Sequence, residues 1–205
     1  MTWHSAAVDI DAFWTLIQLT KHHEGTRPKR LAFLRQQLTA LPSSEIVQFQ
    51  AHLDRACDRA YSWDLWGAAM RIFGGWCSDD GFEYFRNWLI SLGRDVFEQA
   101  VNDPESLADV PEIRRLIGRH TREWADDEWP EWEVLDYVAG EAYAEVEGID
   151  DECGEALYDA VEELLQQGEP FLGHPTGDRW DARDEATSAI KLPTLTALFP
   201  LTTLR

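Results

Sequence analysis

The chain has 205 residues, enough for one large domain with a substantial core, and it contains 10 Trp, 9 Phe and 5 Tyr. This aromatic content excludes a disordered chain, and no apolar run approaches the roughly 20 residues that a membrane span needs. The net charge of −20 makes direct nucleic-acid binding unfavourable, because such a chain repels phosphate backbones.

The cysteines and the N-terminal residues indicate the compartment. Cys57, Cys77 and Cys153 are odd in number and widely spaced, so they form neither a disulfide framework nor a CxxC zinc motif. The first residues lack the basic region and apolar run of a secretion signal. We therefore expect a cytoplasmic protein, and the sequence predicts no cofactor and no metal site.

Apolar residues recur every three or four positions along the first 101 residues, which is typical of amphipathic helices. Capping residues, prolines and glycines divide this stretch into six predicted helices. Asp11 is the predicted cap of the first, which extends to about Thr20. Ser78 is the predicted cap of the fifth, which ends at Leu92 before Gly93. The other four are predicted at about residues 28–38, 42–57, 63–73 and 94–101.

Helical patterns continue beyond the Asn-Asp-Pro sequence at 102–104. The pattern over residues 105–122 predicts a short helix. Pro130 is suited to the first turn of a further helix, which is predicted to end at Gly148. Asp150-Asp151-Glu152 opens a further helix ending at Gly168. With no alternating strand and no internal repeat, the prediction is an all-α, single-domain multi-helix bundle. Residues 1–168 form the helical domain, and 169–205 form an irregular, proline-rich C-terminal arm packed on it.

A first candidate site follows the glycine pair at residues 74 and 75. Arg86 lies among the rings of the helix capped by Ser78, on the same stripe as Asp79. A guanidinium in such surroundings either pairs with a carboxylate or stacks on a ring. Asp64 and Arg71, seven residues apart on the preceding helix, repeat this arrangement. The candidate pocket residues are Asp64, Arg71, Cys77, Ser78, Asp79, Asp80 and Arg86.

Three interpretations of this cluster compete. Capping by Ser78, together with a structural ion pair, explains most of the pattern. A ligand or metal pocket would use Asp79, Asp80 and Arg86, although a hard cation usually needs three or more protein oxygens. A reactive Cys77 at a helix N-terminus is the third, but no histidine lies nearby in the sequence. Catalytic residues remain unknown, and Asp80 is the residue that capping explains least.

A second candidate site is the acidic segment, residues 123–163, which holds 17 Asp and Glu and no Lys, Arg or His. Its acids recur at i, i+4 on one helix, a spacing at which like charges destabilise the helix. Three interpretations are open: a solvated face, a surface for a basic partner, or pairing with the upstream arginines at 114, 115, 119 and 122. The candidate partner-binding residues are Trp124, Trp129, Asp151, Glu155, Asp159 and Glu163.

Two blocks carry a family resemblance: Leu65-Trp66-Gly67-Ala68-Ala69, and the sequence from Gly74-Gly75-Trp76-Cys77-Ser78-Asp79-Asp80 to Trp88-Leu89-Ile90. With Phe13-Trp14 and the Asn-Asp-Pro-Glu-Ser-Leu sequence at 102–107, they resemble bacterial domain-of-unknown-function family 4240 over roughly residues 10–165. Trp76 looks like an insertion against the family pattern. The resemblance implies a bacterial, soluble, mostly helical protein and brings no established activity.

Three functions remain as hypotheses. The favoured one is a protein-interaction module whose acidic helices bind a basic protein partner, for example as an antitoxin-like or immunity-like neutraliser. The alternative is a small-molecule or metal-binding pocket protein or enzyme that uses the Ser78-Asp79-Asp80 and Arg86 cluster. A purely structural subunit is the third. The absence of phosphate-binding, nucleotide-binding and nucleophile motifs argues against an enzyme without excluding one.

Overall fold

The computed structural model describes residues 8–151, 154–166 and 173–201, and within these ranges the regular structure is helical. The predicted all-α fold is confirmed. The α-helices are α1 Ile10–His22, α2 Arg27–Leu38, α3 Ser43–Arg59, α4 Trp63–Ile72, α5 Asp79–Ser91, α6 Arg94–Asn102, α7 Pro111–Arg114, α8 Val138–Glu147, α9 Glu155–Leu165, α10 Glu185–Lys191 and α11 Pro193–Leu198. Short 3-10 helices occupy Pro104–Asp109, Thr121–Glu123 and Glu133–Leu135.

The chain divides into two compact units. The first unit contains Met1–Asp58, Ile90–Arg94 and Glu133–Phe171, and the second contains Arg59–Leu89, Asp95–Trp132 and Leu172–Arg205. In the first unit α2 packs against α1 and α8, and α8 packs against α9. Phe13 and Phe49 are fully buried there with their ring centroids 5.2 Å apart. Such burial of large apolar side chains is the main force that holds these helices together.

Stacked rings form the centre of the second unit. Trp66 lies between Trp63 and Phe82, with ring centroids 5.3 and 4.9 Å away and nearly parallel ring planes. Phe85 and Trp88 extend this aromatic column along α5. The rings occur on α4 and α5 at helical spacing, so both helices turn an aromatic face toward the column.

The C-terminal segment, residues 173–201, is irregular up to Asp184 but then forms α10 and α11. Its first part is tied to the residues before α4, since Thr176 accepts a hydrogen bond from the backbone of Trp63 and donates one to the backbone of Tyr61. The predicted absence of regular structure is therefore wrong for residues 185–198. Pro193 does not break a helix there, because it occupies the first turn of α11, where its missing N–H costs nothing.

Several predicted helix ends also differ from the structure. Asp9 caps α1 in place of Asp11, since its side chain accepts hydrogen bonds from the first-turn N–H groups. The helix predicted from Pro130 begins only at Val138, because the N–H of Trp132 donates to the carbonyl of Tyr84 instead of entering a helix. Only Pro111–Arg114 of the helix predicted over 105–122 is α-helical. Glu152, Cys153 and the predicted helix end at Gly168 lie outside the described residues.

We expect Gly67→Ala to destabilise the second unit by about 1–3 kcal/mol, although alanine favours a helix interior by about 1 kcal/mol. A Cβ at this position would lie 2.9 Å from Cη2 of Trp180 and closer still to Cζ2, so the indole would have to move. Urea denaturation measures the effect. Gly140→Ala in α8 is the matched control, because its Cβ would lie at an ordinary contact distance of 3.6 Å from Cα of Gly154. Equal stability of the two variants would contradict the prediction.

Candidate functional site

Asp64 and Arg71 hold the C-terminal segment. Arg71 is fully buried and donates to both carboxylate oxygens of Glu185, at 2.9 and 3.3 Å. It also donates to the backbone carbonyls of Ala182, Thr196 and Phe199. The Asp64 carboxylate accepts from the indole of Trp180 at 2.8 Å and from Nζ of Lys191 at 2.9 Å. Both side chains therefore already have partners from the C-terminal segment, which gives them a structural role.

The residues at the start of α5 have distinct environments. Ser78 accepts a hydrogen bond from the N–H of Gly81 at 3.0 Å, which confirms that it caps this helix. Cys77 is buried, and desolvation, followed by the nearby Glu131, raises the pKa of its thiol to about 12. A thiol with that pKa is protonated at neutral pH, so the geometry disfavours a nucleophilic Cys77. Asp79 and Asp80 are exposed in the first turn, where carboxylates complement the helix dipole.

Arg86 stacks on aromatic rings, which is one of the two arrangements that the sequence predicts for it. Its guanidinium carbon lies 4.6 Å from the ring centroid of Tyr61 and 5.4 Å from that of Phe82. Such contacts contribute about 0.5–2 kcal/mol when they are partly desolvated. The contacts of the predicted pocket residues are thus mainly those of capping, stacking and anchoring.

Part of the acidic segment is neutralised internally. Arg119 binds both carboxylate oxygens of Glu128, at 2.6 and 2.7 Å, and these hydrogen bonds lower the pKa of Glu128 to about 2. The predicted pairing with upstream arginines is therefore present at this pair. In the first unit, Arg35 of α2 bridges to Glu145 at 3.0 Å and to Glu141 at 3.6 Å. The sequence did not predict this second pairing, because more than 100 residues separate the partners.

The carboxylates of α9 form an exposed acidic face. Glu155, Asp159 and Glu163 are exposed, and within the described part of the chain none of them makes an ion pair. Asp151 differs, because its carboxylate accepts from the N–H groups of Glu155 and Ala156 and so caps the helix. We define the acidic face as Glu155, Asp159, Glu162 and Glu163, with Tyr158 exposed beside them.

The two candidate tryptophans lie in the second unit and are not both accessible. Trp124 is only 7% exposed and packs edge-to-face on Trp129, with ring centroids 4.9 Å apart. Trp129 also lies 5.8 Å from the ring of Phe73. Aromatic packing in this unit covers the indole of Trp124, which the sequence analysis named as a candidate partner-binding residue. This removes Trp124 from any partner-binding surface.

A cleft of about 460 Å³ lies within the first unit, between α3, α8, α9 and the turn before α8. We call it the acidic cleft. Three carboxylates and two tyrosine rings line it, together with one amide; these residues are Gln50, Asp136, Tyr137, Glu141, Asp151 and Tyr158. Only Asp151 of this set was a sequence-predicted site residue. The volume falls within the range of about 300–1,000 Å³ that is usual for ligand sites.

Gln50 and Asp54 form a polar pair on α3 at this cleft. Gln50 lines the cleft and is only 1% exposed. Its Nε2 donates to Asp54 at 2.7 Å, whereas its Oε1 is buried with no hydrogen-bond partner. Burial raises the pKa of Asp54 to about 7; the hydrogen bond from Gln50 opposes this rise, and the charge of Asp136 adds to it.

The fold and the site define an all-helical acidic protein with a carboxylate-lined cleft. A model of the family described as "Protein of unknown function (DUF4240)" matches residues 8–145, so the chain belongs to this family, and the resemblance carried by the two sequence blocks is confirmed. Helix α9 and the C-terminal segment follow the matched residues. Comparisons with curated proteins and with solved structures found no match.

Among the described residues, no three or more His, Cys, Asp or Glu side chains are grouped so that they could hold a metal ion. In the same part of the chain, no helix has both the length and the apolar character to cross a membrane.

Proposed function

We propose that this protein is a cytoplasmic protein-interaction module and that its acidic face on α9 binds a basic protein partner. The observation that carries the proposal is the row of exposed carboxylates at Glu155, Asp159 and Glu163, which have no cation beside them in the described structure. An antitoxin-like or immunity-like neutraliser of a nucleic-acid-directed protein is one form that such a module takes, because those targets carry basic surfaces.

The electrostatics of α9 support this proposal. Like charges at i, i+4 cost an isolated helix about 0.2–0.5 kcal/mol per pair, and Glu162 and Glu163 lie at the negative end of the helix dipole. When a basic partner binds, its positive charges offset both the repulsion among these carboxylates and their unfavourable position at the end of the helix dipole. The exposed Tyr158 beside the carboxylates supplies apolar contact area, and an aromatic side chain within a polar surround is the usual composition of an interface.

The test is a charge reversal of the acidic face, Glu155→Lys, Asp159→Lys and Glu163→Lys together. Asp151 is left intact because it caps α9. Partners captured by the wild-type protein in cell extract are identified and purified, and their affinity for each variant is measured by calorimetry. We expect the triple variant to bind at least about tenfold more weakly, since each substitution replaces an attraction by a repulsion.

The matched control carries the same change in net charge in the second unit, at Glu83, Asp126 and Asp127, which are also exposed. We expect this control to retain the partner within about threefold at moderate salt, because it leaves every carboxylate of the acidic face in place. If the α9 variant retains every partner, or if both variants lose them equally, the acidic face is not the binding surface. Thermal unfolding of all three proteins excludes loss of folding as the cause.

A further inference from the structure

We infer that the C-terminal segment, residues 173–201, is an intramolecular ligand of a peptide-binding groove in the second unit. Helix α4 and the 3-10 helix Pro104–Asp109 form this groove, and α11 packs against both. We call it the α4 groove. Its occupant in trans is a segment of a partner protein in which a tryptophan precedes a glutamate by five residues, as Trp180 precedes Glu185. The acidic face belongs to the first unit, so the α4 groove is independent of the proposed function.

The groups that line the groove belong to the family domain, whereas the segment does not. Asp64, Gly67 and Arg71 lie on α4, and Glu105 lies on the adjacent 3-10 helix, all within the matched residues 8–145. The segment follows the matched residues. Each of these four positions contacts the segment, so the domain supplies the receptor surface and the rest of the chain supplies the ligand.

The N-terminal half of α4 holds the segment as a receptor holds a peptide. The N–H of Trp63 donates to the carbonyl of Thr176 at 3.0 Å. The indole of Trp180 then lies over Gly67 and donates to Asp64 at 2.8 Å. Glycine is unfavourable inside a helix, and here it makes room for the ring. Backbone pairing followed by an aromatic side chain in a notch is a common mode of peptide recognition.

The C-terminal half of the groove selects an acidic ligand. Arg71 donates to both carboxylate oxygens of Glu185, the two-point geometry in which guanidinium groups recognise carboxylates. Glu105 binds the same segment through its backbone, since its carboxylate accepts from the N–H groups of Thr194 and Leu195 at 2.6 and 3.0 Å. When the segment leaves, Arg71 loses its carboxylate partner, so an open groove attracts the carboxylate of another segment.

The segment is bound imperfectly, which allows a second ligand to replace it. Nε of Arg71 and Oγ1 of Thr196 are buried, and neither has a hydrogen-bond partner in the described structure. Buried polar groups without partners make the docked state less stable. Ser188 is the one buried residue of α10, all of which the structure describes, and Ile190 is 81% exposed. A helix with so little apolar burial opens more easily than the core helices around it.

The experiment measures by fluorescence anisotropy how a labelled synthetic peptide, residues 173–201 of this chain, binds to the full-length protein. In the wild type the attached segment competes at an effective concentration on the order of millimolar. Glu185→Ala weakens this competitor and leaves the groove intact, so the peptide should bind this variant at least about tenfold more tightly than the wild type. Arg71→Met removes the carboxylate-binding group and should bind the peptide at least about tenfold more weakly than Glu185→Ala does.

Variant peptides test which side chains the groove recognises. Trp180→Ala and Glu185→Gln in the peptide should each weaken its binding to the Glu185→Ala protein at least about tenfold. The control peptide carries Ile190→Ala and should keep its affinity within about twofold, because this side chain is exposed. Equal losses for the three peptides would show that the groove does not read the motif. No saturation below about 200 µM native peptide would overturn the inference as well.

Hydrogen exchange of the wild-type protein gives a test that needs no variant. We expect the amides of α10 and α11 to exchange at least about tenfold faster than those of α4, because the segment opens while the rest of the unit stays folded. Equal protection of these helices would show that the segment leaves only on global unfolding, which contradicts an exchangeable ligand.

The oligomeric state separates a partner protein from a second copy of this chain. Each copy has a net charge of −20, so two copies repel each other. We therefore expect light scattering to show a monomer at about 100 µM wild-type protein. A dimer that the native peptide dissociates would assign the groove to the segment of a second copy and would overturn the assignment to a partner protein.

Discussion

We expect Arg71→Met to lower the free energy of unfolding by about 2–5 kcal/mol, which is a large part of the stability of a typical domain. The carbonyls of Thr196 and Phe199 at the end of α11 accept from this guanidinium, at 3.4 and 2.9 Å. The last carbonyls of a helix have no partner inside it, so Arg71 supplies donors that methionine cannot. The lost contact with Glu185 contributes less to this destabilisation. The Glu185 side chain is 55% exposed, so water can solvate its carboxylate when the guanidinium is absent.

Urea denaturation and amide hydrogen exchange measure this effect together. We expect faster exchange in α10 and α11 of Arg71→Met, because the anchor of these helices is lost. Arg59→Met is the matched control: Arg59 also binds a glutamate through both oxygens, at 2.8 and 2.7 Å, but its side chain is about half exposed. A surface pair of this kind contributes at most about 1 kcal/mol. Similar decreases in the free energy of unfolding of the two variants would show that the burial of Arg71 does not increase its contribution to stability.

Local signals in the sequence predicted the helices well because helix formation is decided over a few residues. The cap at Ser78 and the left-handed glycines 93 and 148, with φ of 92° and 65°, follow from neighbouring residues alone. The C-terminal helices were not predicted because proline usually ends a helix, whereas Pro193 begins one. Asp184, whose side chain accepts from the N–H of Thr187, is a capping signal that could have revealed α10.

The candidate site was harder to predict because its contacts are distant in sequence. Asp64 and Arg71 share a helical stripe, but their partners Trp180 and Glu185 lie more than 110 residues further on. The acidic cleft likewise joins Gln50 to residues 136–158. Periodicity shows which face of a helix is apolar, and it does not show which other helix supplies the opposing groups. The acidic segment was recognisable, whereas its division into paired, capping and exposed carboxylates depends on the fold.

The buried carboxyl of Asp54 makes the stability of the folded protein depend on pH. Its pKa is raised from 3.8 to about 7, mainly by burial, so the folded state binds this proton more tightly than the unfolded state does. The full stability contribution of the protonated carboxyl is therefore present below about pH 4 and is lost as the pH rises through about 7. Above that value the folded protein holds a desolvated carboxylate beside Gln50, with the charge of Asp136 nearby.

We therefore expect Asp54→Asn to stabilise the protein by on the order of 2–4 kcal/mol at about pH 8 and to have little effect at about pH 4. Asparagine keeps an oxygen that can accept from Gln50 and carries no charge at any pH. Urea denaturation of both proteins across this range measures the difference, and only its change with pH is interpreted. Asp126→Asn, at an exposed position, should alter stability by less than about 0.5 kcal/mol. A stability difference between Asp54→Asn and wild type that is the same at about pH 4 and at about pH 8 would show that the Asp54 carboxylate is not destabilising in the folded state.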